Sequence, residues 1–171
     1  MTLFRYSERV AAWCEARMGE KVGNGECWTL AAEALSSVAT ECRAKNQEPC
    51  LKSQGYIHGG LIFSFLPPKP ADPPGGVEAA GVARGDIIQF YKAHLKKKDG
   101  TAWSSAGDPD HTAVVTRVER GGVLSTVEQN VGGVKKVMKG RYDLSEMVSG
   151  EVRVFRAVGE KWLAPLDANW L

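Results

Sequence analysis

Hydrophobic residues recur at two different periods along the chain, and the change of period divides it. From about Tyr6 to Met18, the residues Val10, Trp13, Cys14 and Met18 fall on a helical spacing that stops at Gly19, which predicts a short amphipathic helix. A longer helix is predicted from Cys27 to about Ala44. There Cys27, Ala31, Ala34, Leu35, Val38 and Cys42 fall at helical spacings of three and four from one another, with Ala34 and Leu35 adjacent, so they share one face. In the second half the pattern becomes strand-like, with runs rich in β-branched residues at 86–91, 112–118, 123–127, 134–138 and 152–158. Glycine pairs and an Asp-Pro step separate these runs, which calls for antiparallel connections without crossover helices. Helices first and a sheet after make the fold class α+β, with N-terminal helices packed on an antiparallel sheet.

Between these halves, about 46–81, the pattern weakens. Tyr56-Ile57-His58 and Leu61-Ile62-Phe63-Ser64-Phe65 read as short extended pieces, and Pro67, Pro68, Pro70, Pro73 and Pro74 then forbid regular structure. The segment is expected to be a long ordered loop inserted in a single domain spanning 1–171. Its Pro67-Pro68-Lys69-Pro70 run matches the extended ligands of aromatic-grooved domains, although a stiff connector is the plainer reading. The stretch from Trp162 to Trp170 is apolar enough to dock on the body or on a partner.

Composition narrows the function by exclusion. The chain is 43% hydrophobic and 25% charged with a formal net charge of +2, ordinary for a globular protein and too weakly basic to imply nucleic-acid binding. No run approaches the roughly 18 apolar residues of a membrane span, and the first residues lack a basic stretch followed by an apolar one. Cys14, Cys27, Cys42 and Cys50 lack C-x-x-C spacing, and there is no Asn-x-Ser/Thr acceptor; a reducing, cytoplasmic setting without metal or cofactor is expected. Gly23-Asn24-Gly25 lacks the third glycine and the preceding strand of a dinucleotide fingerprint.

Cys27 carries the candidate chemistry. It follows the Gly23-Asn24-Gly25-Glu26 turn at a predicted helix start, where unpaired backbone N–H groups favour a thiolate and can stabilise an oxyanion. The turn at Gly121-Gly122 supplies the rest by register. If Arg120 and Gly121 form a two-residue turn, paired positions sum to 241 and His111 faces Asn130; a three-residue turn shifts this by one. Glu128 and Asn130 then share a face within reach of the imidazole, and either could orient it as it takes the Cys27 proton. Each residue alone has a plainer explanation: a small buried thiol, a turn histidine, a polar strand exit. His58 borders the uncertain loop, while His94 and the Lys92–Lys98 cluster read as solvated surface.

Gly25-Glu26-Cys27-Trp28, Arg84-Gly85-Asp86-Ile87-Ile88-Gln89-Phe90, His111-Thr112-Ala113-Val114-Val115 and Glu128-Gln129-Asn130, in that order, resemble the cysteine, histidine-dependent amidohydrolase/peptidase (CHAP) domains of the NlpC-type, papain-like superfamily, over about 21–132. The resemblance implies Cys27 as nucleophile, His111 as base, Glu128 orienting the histidine and Asn130 as an auxiliary polar residue. Gly23 to Ala31, with His58 and Leu61 to Pro68, is similar to a closer variant: the C-terminal cysteine-proteinase-fold domain of fungal adaptors of cortical actin patches and type I myosin. The loop and proline run depart from compact bacterial CHAP domains, which argues against a cell-wall substrate. Two classes follow: a thiol amidohydrolase or peptidase acting on a peptide or protein, with acyl transfer as a variant, or a non-catalytic protein-interaction module associated with the cortical actin cytoskeleton. A depressed thiol pKa and an open cleft favour the first; a buried Cys27 or a cleft filled by the loop favours the second.

Overall fold

The computed structural model describes residues 6–162. Two helices come first, α1 (Ser7–Glu15) and α2 (Cys27–Ala44). They are followed by β1 (Gly60–Phe65), a single turn α3 (Gly76–Ala79), β2 (Ile87–Lys96), β3 (Trp103–Val118), β4 (Val123–Glu128), β5 (Met138–Asp143), a 3-10 turn (Leu144–Glu146) and β6 (Met147–Arg156). The strands make one sheet in the order β1-β6-β2-β3-β4-β5, and every neighbouring pair is antiparallel. Among the described residues no helix is long and apolar enough to cross a membrane.

The helical spacing read from the sequence becomes the main packing surface. Leu30, Ala31, Ala34, Leu35, Val38, Ala39 and Cys42 of α2 are buried and pack with Val10 and Cys14 of α1 against Ile87, Val114 and Val127 of the sheet. A second cluster fills the other face, with Ile88, Phe90, Val115, Leu124, Val152 and Val154 against Phe63 and Val77. Strand alternation sends neighbours such as Ile87 and Ile88 to opposite faces, so both faces of the central strands are dry. The sheet's end is locked by a buried pair: Arg156 Nη2 and Nε lie 2.7 and 2.9 Å from the Asp86 carboxylate, which also accepts from Ala83 N.

Several expectations shift. The predicted strand at 134–138 is instead a turn, with Asn130 N donating to Val134 O at 3.0 Å, and the strand falls at Met138–Asp143. That strand, MKGRYD, is a polar sheet edge with little hydrophobic signal. β2 and β3 extend well beyond the predicted 86–91 and 112–118 as a long hairpin. His94 therefore lies in a strand, exposed, rather than in a loop. β3 tolerates Pro109 because the pairing slips between Tyr91↔Asp110 and Ala93↔Ala106, and a bulge asks no ladder N–H of proline.

The 46–81 segment is more structured than a loop. It carries β1, paired with β6, and Ser64 and Asp72 exchange backbone hydrogen bonds of 2.7 and 2.8 Å. The Pro67-Pro68 step sits in a turn closed by Lys69 N donating to Leu66 O at 3.0 Å, so it is not an extended polyproline ligand here. The apolar stretch from Trp162 to Trp170 lies outside the described residues beyond Trp162.

Leu35 is fully buried beneath α2, so Leu35→Ala is expected to lose about 2–5 kcal/mol of stability. Urea unfolding at neutral pH checks this, with unchanged far-ultraviolet circular dichroism of the folded form.

Candidate active site

The turn before α2 is built by positive-φ glycines and one asparagine. Gly23 and Gly25 adopt φ of 54° and 85°, a conformation glycine reaches without a Cβ clash. Asn24 Oδ1 accepts from Glu26 N at 2.9 Å and from Thr29 Oγ1 at 2.6 Å. The chain then enters the helix with Glu26 extended at its N-cap and Cys27 as the first helical residue. Glu26 supplies no side-chain cap; its carboxylate accepts from Asn130 Nδ2 at 2.6 Å and pairs with Lys135. The hydrogen bond from Lys135 is the main reason that carboxyl sits below its usual range. The leading N–H groups of α2, which no helical carbonyl can reach, thus carry no side-chain cap and lie beside the thiol.

Cys27 is 8% exposed, so the thiol is nearly covered. It lies close enough to His111 to help raise the pKa of the imidazole. His111 Nε2 lies 2.5 Å from Glu128 Oε2, so Nδ1 is the ring nitrogen that the carboxylate does not engage. The register explains the meeting. Glu119 N donates to Val123 O and Gly122 N to Glu119 O, so the loop is three residues, and the pairs beside it, Val118↔Leu124 and Arg117↔Ser125, sum to 242. One extra residue at Thr116 then restores the sum to 241 for Val115↔Thr126 and Ala113↔Glu128. The longer turn and the bulge offset one another, and Glu128 stands diagonally across from His111 on the same face.

Burial pulls the His111 pKa down, but the hydrogen bonds to Cys27 and Glu128 and their charges outweigh it and raise it from 6.5 to about 9. Phe90 stacks against the ring with centroids 6.3 Å apart. Glu128, 3% exposed, accepts a second bond at the same Oε2, from Tyr142 Oη at 2.6 Å. Burial first, then the Glu128 charge, raises the Tyr142 pKa, so the phenol stays a donor. The pattern of the sequence did not single out Tyr142, because its strand reads as polar and was expected at 134–138. Across from Thr126, Gly140 leaves space for this carboxylate: a Cβ there would overlap Glu128 Oε1.

Asn130 does not reach the histidine. At φ 62° it turns to Glu26, and its neighbour Gln129, fully buried, accepts from Val22 N at 2.8 Å and donates to Val22 O and Glu26 O at 3.1 and 3.0 Å. Glu128 bonds the imidazole while Gln129 and Asn130 clamp the turn before Cys27 to the end of β4. His58 is fully buried and His94 exposed. Burial pushes the Cys14 and Cys50 thiols up to about 12 and about 11, away from the thiolate form. Among the described residues no cluster of three or more His, Cys, Asp or Glu side chains could hold a metal ion.

Residues 3–167 match the family described as the AIM3/BBC1 cysteine proteinase-fold domain. The chain is 34% identical, over 97% of its length, to altered inheritance of mitochondria protein 3 of Debaryomyces hansenii. It is 26% identical, over 92% of its length, to SH3 domain-containing protein C23A1.17 of Schizosaccharomyces pombe. It spans 16% and 9% of those two proteins. Among solved structures it resembles that of Ly7917, with a TM-score of 0.48 and 16% identity over 88% of this chain and 62% of that one.

Because the folded His111 pKa is raised, the stabilisation from its protonated form is fully present below about pH 6.5 and lost as pH rises through about 9. Urea unfolding between pH 6 and 10 should show the wild type losing stability across that window relative to Glu128→Gln. Gly140→Ala should displace the Glu128 carboxylate and return the His111 titration toward 6.5, read by NMR of the ring, with the sheet intact.

Proposed function

The chain belongs to the AIM3/BBC1 cysteine proteinase-fold domain family, and on that premise we propose that it is a thiol hydrolase acting on a peptide or amide through Cys27, His111 and Glu128. The observation that carries the reading is His111 held with Nε2 2.5 Å from Glu128 Oε2, close enough to Cys27 for the thiol to help raise its pKa. A buried structural histidine does not need both a thiol and a carboxylate at its two nitrogens. His111 Nδ1 takes the thiol proton, and Glu128 holds the resulting imidazolium in orientation. The thiolate attacks the substrate carbonyl carbon, and the N–H groups at the start of α2 stabilise the oxyanion. As the C–N bond breaks, His111 returns its proton to the leaving amine. Water, deprotonated by the same imidazole, then attacks the thioester; the acid leaves and the thiol is restored. An acceptor amine or alcohol in place of water makes this an acyl transfer. Asn130 supports the turn rather than the base. The four thiols are free, and a cytosolic setting keeps them so.

One observation favours a second reading, a protein-interaction module in a larger adaptor. Cys27 is only 8% exposed, and the matched relatives are far longer chains, one of them named for SH3 domains. In that reading the domain docks partners, including those of the cortical actin cytoskeleton, without turnover.

The pH dependence of iodoacetamide alkylation, resolved at Cys27 by mass spectrometry, separates the two. The hydrolase requires Cys27 to react well below the free-thiol pKa of about 8.5, and His111→Ala to abolish that. Acylation by a thiol-directed peptide probe should fall about 10²–10⁴-fold in His111→Ala, more in Glu128→Gln than in Asn130→Ala. A Cys27 that is inert, or that titrates alike with and without His111, leaves the interaction module.

A further inference from the structure

A second buried polar network, separate from the Cys27, His111 and Glu128 path, reaches the same histidine from its backbone side. Its hub is Gln89, 1% exposed on β2. Gln89 Nε2 donates to the carbonyls of His111 at 3.2 Å and Phe90 at 3.3 Å. Carbonyls only accept, so the amide must face them with its NH2 and turn Oε1 the other way. That oxygen accepts from Thr112 Oγ1 at 2.8 Å and meets His58 Nε2 at 2.9 Å. His58 Nε2 therefore carries the proton, and Nδ1, 2.8 Å from Ser53 Oγ, accepts from the serine hydroxyl. Burial holds the His58 pKa down, to about 4, against the pull of Gln89, so the ring is neutral and the donor order is set from Ser53 to the His111 carbonyl.

Ser53 and His58 belong to one short segment, and that segment touches the neighbours of both reacting side chains. Trp28, next after Cys27, donates from Nε1 to Gly55 O at 2.6 Å. Tyr56 Oη donates to Asp110, next before His111, at 2.8 Å. Tyr56 also lies near enough to Cys27 to feel its charge, a lesser contribution than the Asp110 hydrogen bond and burial that raise its pKa. A buried hydrogen-bonded chain with every member satisfied is rigid, whereas a broken one leaves unpaired donors in a dry interior. The segment thus has three anchor points, one on Trp28 beside Cys27, one on Asp110 of β3 next to His111, and one on Gln89 of the neighbouring β2.

We infer that residues 53–58 form a positioning strap, and that Gln89 is the residue through which the strap fixes His111 against Glu128 and Cys27. Gln89 and His58 act on the base through its backbone and touch no reacting atom. The inference rests on the proposed thiol–imidazole site, but its test reads His111 directly.

The experiment is NMR titration of the His111 ring in the full chain, comparing wild type with Gln89→Met, Thr112→Val and Thr112→Ser. Gln89→Met should lower the His111 pKa from about 9 toward 6.5, by about one unit or more. Thr112→Val should lower it less, and Thr112→Ser, which keeps the hydroxyl, should restore the wild-type value. If Gln89→Met does not fold, the Thr112 pair decides. A His111 titration unmoved in the folded variants, even with a lowered Tm, overturns the strap and leaves the network a packing feature. Failure of the underlying site has a different signature, a Cys27 alkylation profile indifferent to His111→Ala.

Discussion

The bond between His111 Nε2 and Glu128 Oε2 is the constraint around which the rest of the site is arranged. Both groups are nearly dry, at 7% and 3% exposure, where a charged side chain is unfavourable unless paired and hydrogen-bonded. The protein supplies the pairing several times over. Tyr142 donates to the same carboxylate oxygen, Cys27 lies near enough to help raise the imidazole pKa, and Phe90 flanks the ring. Gly140, on the edge strand, leaves the room that the carboxylate occupies. Removing one partner would leave the other charge buried and uncompensated, so these residues act as a unit.

The sheet and helix contribute in different ways. The sheet brings His111 and Glu128 together by register, and the register depends on two irregularities of opposite effect, the three-residue loop and the extra residue at Thr116. Deleting either alone would move Glu128 to the opposite face. The helix delivers the thiol by its start, and that start is held from the sheet side. Gln129 grips the turn through Val22 and Glu26, and Asn130 draws the Glu26 carboxylate away. Three consecutive residues at the end of β4 thereby serve both halves of the site. The link is economical because strand alternation points Glu128 and Gln129 to different faces.

What separates an active thiol hydrolase from a domain that keeps the fold to bind partners is access and alignment at Cys27. The thiol is almost covered, and the 53–58 segment lies against its neighbour Trp28 and against Asp110. The same segment is tied to the body from within by His58, which meets the buried Gln89, and at its surface by Gly55 and Tyr56, bonded to Trp28 and Asp110.

The helices and the α+β class were legible in the sequence because each rests on local chemistry. The three- and four-residue spacing of α2 sets its buried face, and the glycine turn places Cys27 at its start. The register sum of 241 was legible as well, although it arises from a different turn with a compensating bulge. Tertiary structure decided the remainder. Between Glu128 and Asn130, only the curvature at the strand end, with Asn130 at positive φ, assigned one to the histidine and the other to Glu26. Tyr142 and Gly140 could not be read because an edge strand carries little hydrophobic periodicity, and their roles exist only across β4 and β5. Nor could His58 and Gln89 be joined, since 31 residues separate them and no local spacing encodes a hydrogen bond that forms only when a strand and a distant loop are buried together.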